Sequence, residues 1–163
     1  MNKKRYNVVG YGSLVSHKSL KQTIPDKKFK LVIVQGYKRI FNLEDKGGDY
    51  LNIEKSPGSK FNGVLFSVDE EEFKKLVKRE LEYNLEEEDV FDFKTGKKIG
   101  KAFVFIDYFF DIDPGRMFPE KRYFALCREA AYHISEKFGK FWDETTFTSE
   151  GEKIRGLVKK KLI

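Results

Sequence analysis

Short runs of alternating apolar and polar residues, each cut off by glycine, proline or aspartate, fill the first half of the chain. Residues 6–10, 29–34, 37–43, 50–55 and 61–68 read as strands, separated by the turn signals QGY, DKGGD and SPGSKFNG. A short helical turn is expected around 16–22. The period then changes. Apolar residues over about 69–83 are spaced as in a helix, two further strands fall near 88–93 and 101–109, and a long helix covers about 119–138. Pro119 suits the first turn of that helix and Gly139 its end. Residues 150–162 set Ile154, Leu157 and Val158 on one face and lysines opposite, which predicts a closing amphipathic helix. Strands clustered first, with helices inserted and appended, predict an α+β domain on a mainly antiparallel or mixed sheet; a doubly wound nucleotide fold would alternate the two throughout.

Composition narrows this picture. At 163 residues the chain fits one domain, 1–163, and its 40% hydrophobic and 36% charged residues suit a soluble globular protein. No apolar run reaches the roughly 20 residues that span a bilayer, and the start lacks a signal-peptide pattern, so no membrane and a cytoplasmic location are expected. Cys127 is the one cysteine, and with His17 and His133 it forms no cluster of metal-ligand spacing. Cys127 and His133 stand six apart, on different sides of a helix, which argues against a nucleophile–base pair. The net charge of +6 is mostly terminal: Lys153, Arg155, Lys159, Lys160 and Lys161 face only Glu152 after Gly151. Elsewhere both signs interleave, and the sixteen phenylalanines fall at core positions, so a nucleic-acid groove is disfavoured.

Two stretches carry candidate chemistry. The first is VVGYGSLV, from Val8 to Val15. A dinucleotide loop would need its third glycine at Val15, a P-loop would need Gly-Lys-Ser/Thr, and an esterase elbow would need G-x-S-x-G; none is present. The second is SVDEEEFKKLVKRELEYN. Ser67 or Asp69 can cap its helix, and Glu70, Glu71 and Glu72 sit where the helix dipole favours negative charge. With Phe73 at zero and about 100° per residue, Leu76, Val77 and Leu81 define the buried stripe, and Glu80 at about 340° lies in its middle. A carboxylate turned toward a core needs a partner or a raised pKa. A general base or acid in a pocket, an ion pair with Arg39, a frayed last turn and a misplaced helix boundary all remain open for Glu80 on pattern alone.

These stretches, in this order, resemble the γ-glutamylcyclotransferase-like superfamily, which includes ChaC- and BtrG-type proteins. YGSL after the first strand, GYKRIFN, FNGVLFSVDEEEFKKLVKRELEYN and PEKRYFALCREAAYHISEKFGKFWDETTFTSEG carry the likeness, which runs from Tyr6 to about Gly151. The resemblance implies a mixed, barrel-like sheet with flanking helices and a cavity between the opening loop and the glutamate. It implies a cytoplasmic enzyme of glutathione metabolism, a transferase or lyase that needs no cofactor and no metal. In it the α-amine of a γ-glutamyl group attacks its own γ-carbonyl, giving 5-oxoproline and a free amine. By motif position Glu80 is the acid/base residue, and Tyr11, Gly12, Ser13 and Leu14 form the loop that holds the glutamyl group. Tyr83, Tyr123 and Arg39 are further substrate-binding candidates; each can equally serve the core, and Arg39 can neutralise Glu80. The partner is then a small γ-glutamyl molecule whose amine portion is left open, and the protein a monomer or homodimer. A catalytically silent small-molecule or protein-binding module of the same fold is the alternative.

Overall fold

The computed structural model describes residues 4–12, 28–45, 48–80, 83–108 and 119–160. Six strands and four helices follow in the order β1 (Arg5–Gly10), β2 (Lys30–Asp45), β3 (Gly48–Asp69), α1 (Glu70–Arg79), β4 (Asn84–Asp92), β5 (Lys98–Ile106), α2 (Lys121–Ile134), α3 (Glu136–Glu144), β6 (Thr146–Thr148) and α4 (Ile154–Lys159). The architecture is α+β on a mixed sheet, ordered β3-β1-β5-β4-β2-β6, with β3 also paired to β2. That last pairing turns five strands into a closed circuit: four antiparallel neighbours and one parallel join, β1 to β5. The expected helical turn around 16–22 lies outside the described residues.

Where four short strands were expected, two long ones form. The QGY signal is a bulge in β2: Gln35 pairs with Lys60 and Tyr37 with Lys55, so residues 56–59 of β3 face Gly36 alone. Gly36 has φ +88° and Gly58 φ +86°, values that glycine adopts freely, so each strand bends without ending. The core runs through Val8, Val9, Val32, Val34, Phe61, Val64 and Phe66 on the strands and Leu76, Phe138, Trp142 and Ile154 on the helices, all buried.

The helices also depart from the periodic reading. Asp69 caps α1 in a capping box with Glu72, but the helix stops at Arg79, earlier than expected. Its stripe is narrower than the wheel suggested, since Leu76 is buried while Val77 is exposed. The single helix expected over 119–138 is two. Ser135 is fully extended (φ −170°, ψ 159°), and its hydroxyl accepts from the Phe138 amide to cap α3. Gly139 therefore lies inside α3 instead of ending a helix, and a Cβ there would stand 2.4 Å from the Tyr132 ring of α2. β6 was not expected at all. It pairs in parallel with β2 through Arg39↔Thr146, Ile40↔Phe147 and Phe41↔Thr148.

Gly63 marks the tightest crossing near the end of β1. A Cβ there would lie 2.6 Å from the Gly10 carbonyl oxygen and 2.7 Å from Val9 Cγ1. Backbone must move to admit it, so Gly63→Ala is expected to cost about 1–3 kcal/mol, read as a fall in the denaturant midpoint with an unchanged m-value. An unchanged midpoint would show that β1 and β3 can separate freely.

Candidate active site

Strands β1 and β5 pair at one position, Val8 with Phe103, and beyond it a cavity opens. A volume of about 40 Å³, room for a few small groups, is lined by Val9, Gly10, Tyr11, Gly12, Leu51, Glu80, Tyr83, Phe105 and Tyr123. The Tyr11 hydroxyl crosses the seam and donates to the Phe105 carbonyl at 2.6 Å. Its ring is fixed edge-on against Phe61, centroids 5.5 Å apart. Past the end of α1, Tyr83 donates to the Leu51 carbonyl of β3 at 2.8 Å.

Tyr123 reaches the cavity from the first turn of α2, which Glu120 caps by accepting from the Tyr123 amide at 2.6 Å. The ring leans on Tyr50 and meets Phe41 edge-on, with centroids 4.6 and 6.3 Å away. A Cβ on Gly12 would come 2.8 Å from the Tyr123 hydroxyl, so glycine at this position leaves room for that oxygen against the backbone just past β1.

Glu80 is the C-cap of α1 (φ −102°, ψ 43°), its amide bonded to the Leu76 carbonyl at 2.9 Å. At this position the chain leaves the helix, and the side chain lines the cavity with 18% of its surface exposed. No hydrogen bond from a described residue reaches the carboxylate. Among the described residues the ion pair of Glu80 is with Arg79, whose Nε lies 3.7 Å from Oε1, and not with Arg39. Desolvation pushes the Glu80 pKa above the usual carboxylate range, and Arg79 offsets part of that. Burial likewise lifts the phenols of Tyr11 and Tyr123 well above their ordinary value. The charges of Tyr83 and Glu80 add to the rise at Tyr11, and those of Cys127, Tyr83 and Tyr11 to the rise at Tyr123. The phenols are thus neutral, beside a carboxylate whose proton affinity is raised.

Arg39 lies behind this wall, fully buried. It donates to the Asn62 carbonyl (2.6 Å), Asn62 Oδ1 (2.7 Å), Thr146 Oγ1 (2.8 Å), Thr145 Oγ1 (3.0 Å) and, at 3.4 Å each, to the Tyr11 and Trp142 carbonyls. Burial draws its pKa down to about 9, so it is still charged at neutral pH. All these acceptors belong to the protein, and Arg39 does not line the cavity. Cys127 is buried beside Tyr123, its thiol pushed up to about 12 by desolvation. Among the described residues no three His, Cys, Asp or Glu side chains come together as a metal site would need.

Of the candidates read from the sequence, Tyr11, Gly12, Glu80, Tyr83 and Tyr123 share one cavity; Ser13, Leu14 and His17 lie outside the described residues. Leu51 and Phe105 were missed. Their part is to offer backbone carbonyls to two tyrosines, and no side-chain pattern announces a carbonyl.

No protein-family model matches the sequence, and comparison with curated proteins gives no match. Solved structures do match. A γ-glutamyl cyclotransferase superposes with TM-score 0.74 at 17% identity, over 96% of this chain and 99% of that one. The chain has the γ-glutamyl cyclotransferase-like fold. Two further structures share it: YkqA from Bacillus subtilis (TM-score 0.68, 20% identity, 85% of this chain and 52% of that one) and an AIG2-like protein from Mus musculus (TM-score 0.54, 16% identity, 74% and 88%). Within this γ-glutamyl cyclotransferase-like fold, the described residues include no helix long and apolar enough to cross a membrane.

Proposed function

We propose that the chain is a γ-glutamyl cyclotransferase of one domain, acting on glutathione, a γ-glutamyl amino acid or a γ-glutamylamine. One observation carries this reading: a desolvated carboxylate, Glu80, that accepts no hydrogen bond from the described residues and looks into a cavity walled by the end of β1. The reaction requires a base at the α-amine. That amine is protonated at neutral pH and must lose a proton before its nitrogen can attack the γ-carbonyl carbon. A carboxylate whose desolvation raises its pKa takes and holds a proton more readily than an exposed one, which suits an acid/base role.

Glu80 takes the proton, the new C–N bond closes a five-membered ring, and the carbonyl becomes a tetrahedral oxyanion. Gly10 and Gly12, whose atoms are all backbone, line the cavity, and in this reading the amides of that turn are the donors to the oxyanion. Collapse of the oxyanion breaks the bond to the leaving amine. That nitrogen takes the proton back from Glu80, and the ring nitrogen gives up its second proton through the same carboxylate to the released amine, leaving 5-oxoproline and an ammonium with the carboxylate restored. Both nitrogens are on the substrate, so much of the rate comes from binding the chain folded.

Purified protein incubated with a panel of the three substrate classes is expected to release 5-oxoproline from at least one of them. No product from any, at any pH between about 6 and 9, would overturn the reading. Saturable binding without product would point instead to a silent binding module.

A further inference from the structure

A second cavity lies among α2, α3 and α4 and shares no lining residue with the first. Its volume of about 350 Å³ is within the range of small-molecule sites. Its fixed element is the guanidinium of Arg128. Asp143, only 5% exposed, accepts from Arg128 Nε and Nη2 at 2.9 Å each and from the Tyr132 hydroxyl at 2.5 Å, and Arg128 stacks over the Tyr132 ring at 4.7 Å. A guanidinium has two forked faces. Asp143 fills the side-on one, Nε with Nη2, and no described residue accepts from Nη1. The one other contact, Nη2 to the Tyr132 oxygen at 3.5 Å, is long, so the end-on fork is both open and oriented. The remaining carboxylate of the cavity, Glu144, is engaged as well: it accepts from Arg155 and lies 3.8 Å from Lys153 Nζ. Four cations, Arg128, Lys140, Arg155 and Lys159, thus line the cavity against two carboxylates. Lys140 is paired only with the exposed Glu136, a contact worth little in water, and Lys159 with no described residue.

We propose that this cavity binds a small molecule carrying a phosphate monoester, whose oxygens take the open fork of Arg128 and whose two negative charges offset Lys140 and Lys159. The arginine supplies planar, bidentate recognition and the lysines supply point charges. Val158 is the apolar member of the wall and suits the carbon body of the ligand. A carboxylate would bring half the charge to the same cations. A nucleic-acid backbone needs an extended basic track, and Asp143 and Glu144 interrupt this one.

Calorimetric titration of the full chain at constant ionic strength with phenyl phosphate, benzoate and inorganic phosphate tests this. Phenyl phosphate is expected to saturate one site and to bind about tenfold or more tightly than benzoate, the factor set by charge-assisted hydrogen bonds to the fork. Inorganic phosphate should compete for the site but bind more weakly; equal affinity would make the occupant the free ion and overturn the ester. Arg128→Lys keeps the charge without the fork and should weaken phenyl phosphate by about tenfold. Because Arg128 also holds Asp143, a second variant at an exposed position separates binding from folding: Lys159→Gln should cost about two- to fivefold, and Lys75→Gln, which removes the same charge from the exposed side of α1, should cost nothing. No saturable binding of phenyl phosphate, equal binding of benzoate, or the same loss from Lys159→Gln and Lys75→Gln would overturn the proposal. Affinity for duplex DNA in place of phenyl phosphate, falling steeply with salt, would make this face a polyanion surface and overturn it too. The measurement does not need turnover, so its outcome is independent of the cyclotransferase reading.

Discussion

Glu80→Gln is expected to lower kcat/KM for 5-oxoproline formation by about 10²–10⁴-fold, the range lost when a positioned acid/base group is removed. Glutamine keeps the size of the side chain and its place at the end of α1 but can neither take nor return a proton. Turnover retained in this variant would remove Glu80 from the mechanism. In the wild type, activity should rise with pH as Glu80 ionises, at a pH above that of an ordinary glutamate because burial favours its protonated form. The variant should lose that limb of the profile.

Stability supplies an independent readout of the same group. A glutamate whose pKa is raised by folding weakens the fold once it is ionised. The penalty is absent below the unfolded-state pKa, grows as pH climbs to the folded-state value, and is constant above it. Glu80→Gln should therefore match or exceed wild-type stability at neutral pH, the difference narrowing as the solution is acidified. A variant less stable at neutral pH than at acid pH, relative to wild type, would show that the carboxylate is favourably paired after all.

The second large effect is expected at Arg39. Its guanidinium ties β2 to Asn62 of β3, to the C-terminal end of α3 and to Thr146 of β6, and it touches the Tyr11 carbonyl at the cavity. Arg39→Ala removes donors from at least four well-placed acceptors in a fully buried site, and a loss of about 3–5 kcal/mol is expected from chemical denaturation. Arg39→Lys should rescue little, because an ammonium cannot reproduce the planar fork that serves both Asn62 oxygens. A folded Arg39→Lys protein of near wild-type stability, with KM raised and kcat kept, would instead place the guanidinium on the substrate.

The site was legible to different depths. Glu80 stood out because a carboxylate at the middle of an apolar stripe has no local explanation, whereas Glu70, Glu71 and Glu72 are explained by the helix start they occupy. The wheel was right about direction and imperfect about the helix: α1 ends at Arg79, and Glu80 faces the cavity because the chain turns there. Arg39 gave no such signal. A lone arginine in GYKRIFN reads equally as a substrate clamp, a partner for Glu80 or a core strut, and the choice depends on Asn62, Trp142, Thr145 and Thr146, which are more than twenty residues away in sequence. Strand boundaries misled at QGY and SPGSKFNG for a related reason. Glycine at positive φ serves a turn and a bulge alike, and the difference lies in whether the partner strand continues alongside.

The sequence by itself determined what is local: alternation marked the strands, Asp69 and Glu72 the start of α1, and the charge pattern the odd position of Glu80. Tertiary structure alone decided that β1 and β5 part after Val8 and Phe103, that Tyr11, Tyr83 and Tyr123 converge on that opening, and that Arg39 braces it from behind. The physical reason is that hydrogen-bond partners and desolvation are set by which strands become neighbours. The cavity joins residues 9 to 123, and nothing in any one segment records what the others bring to it.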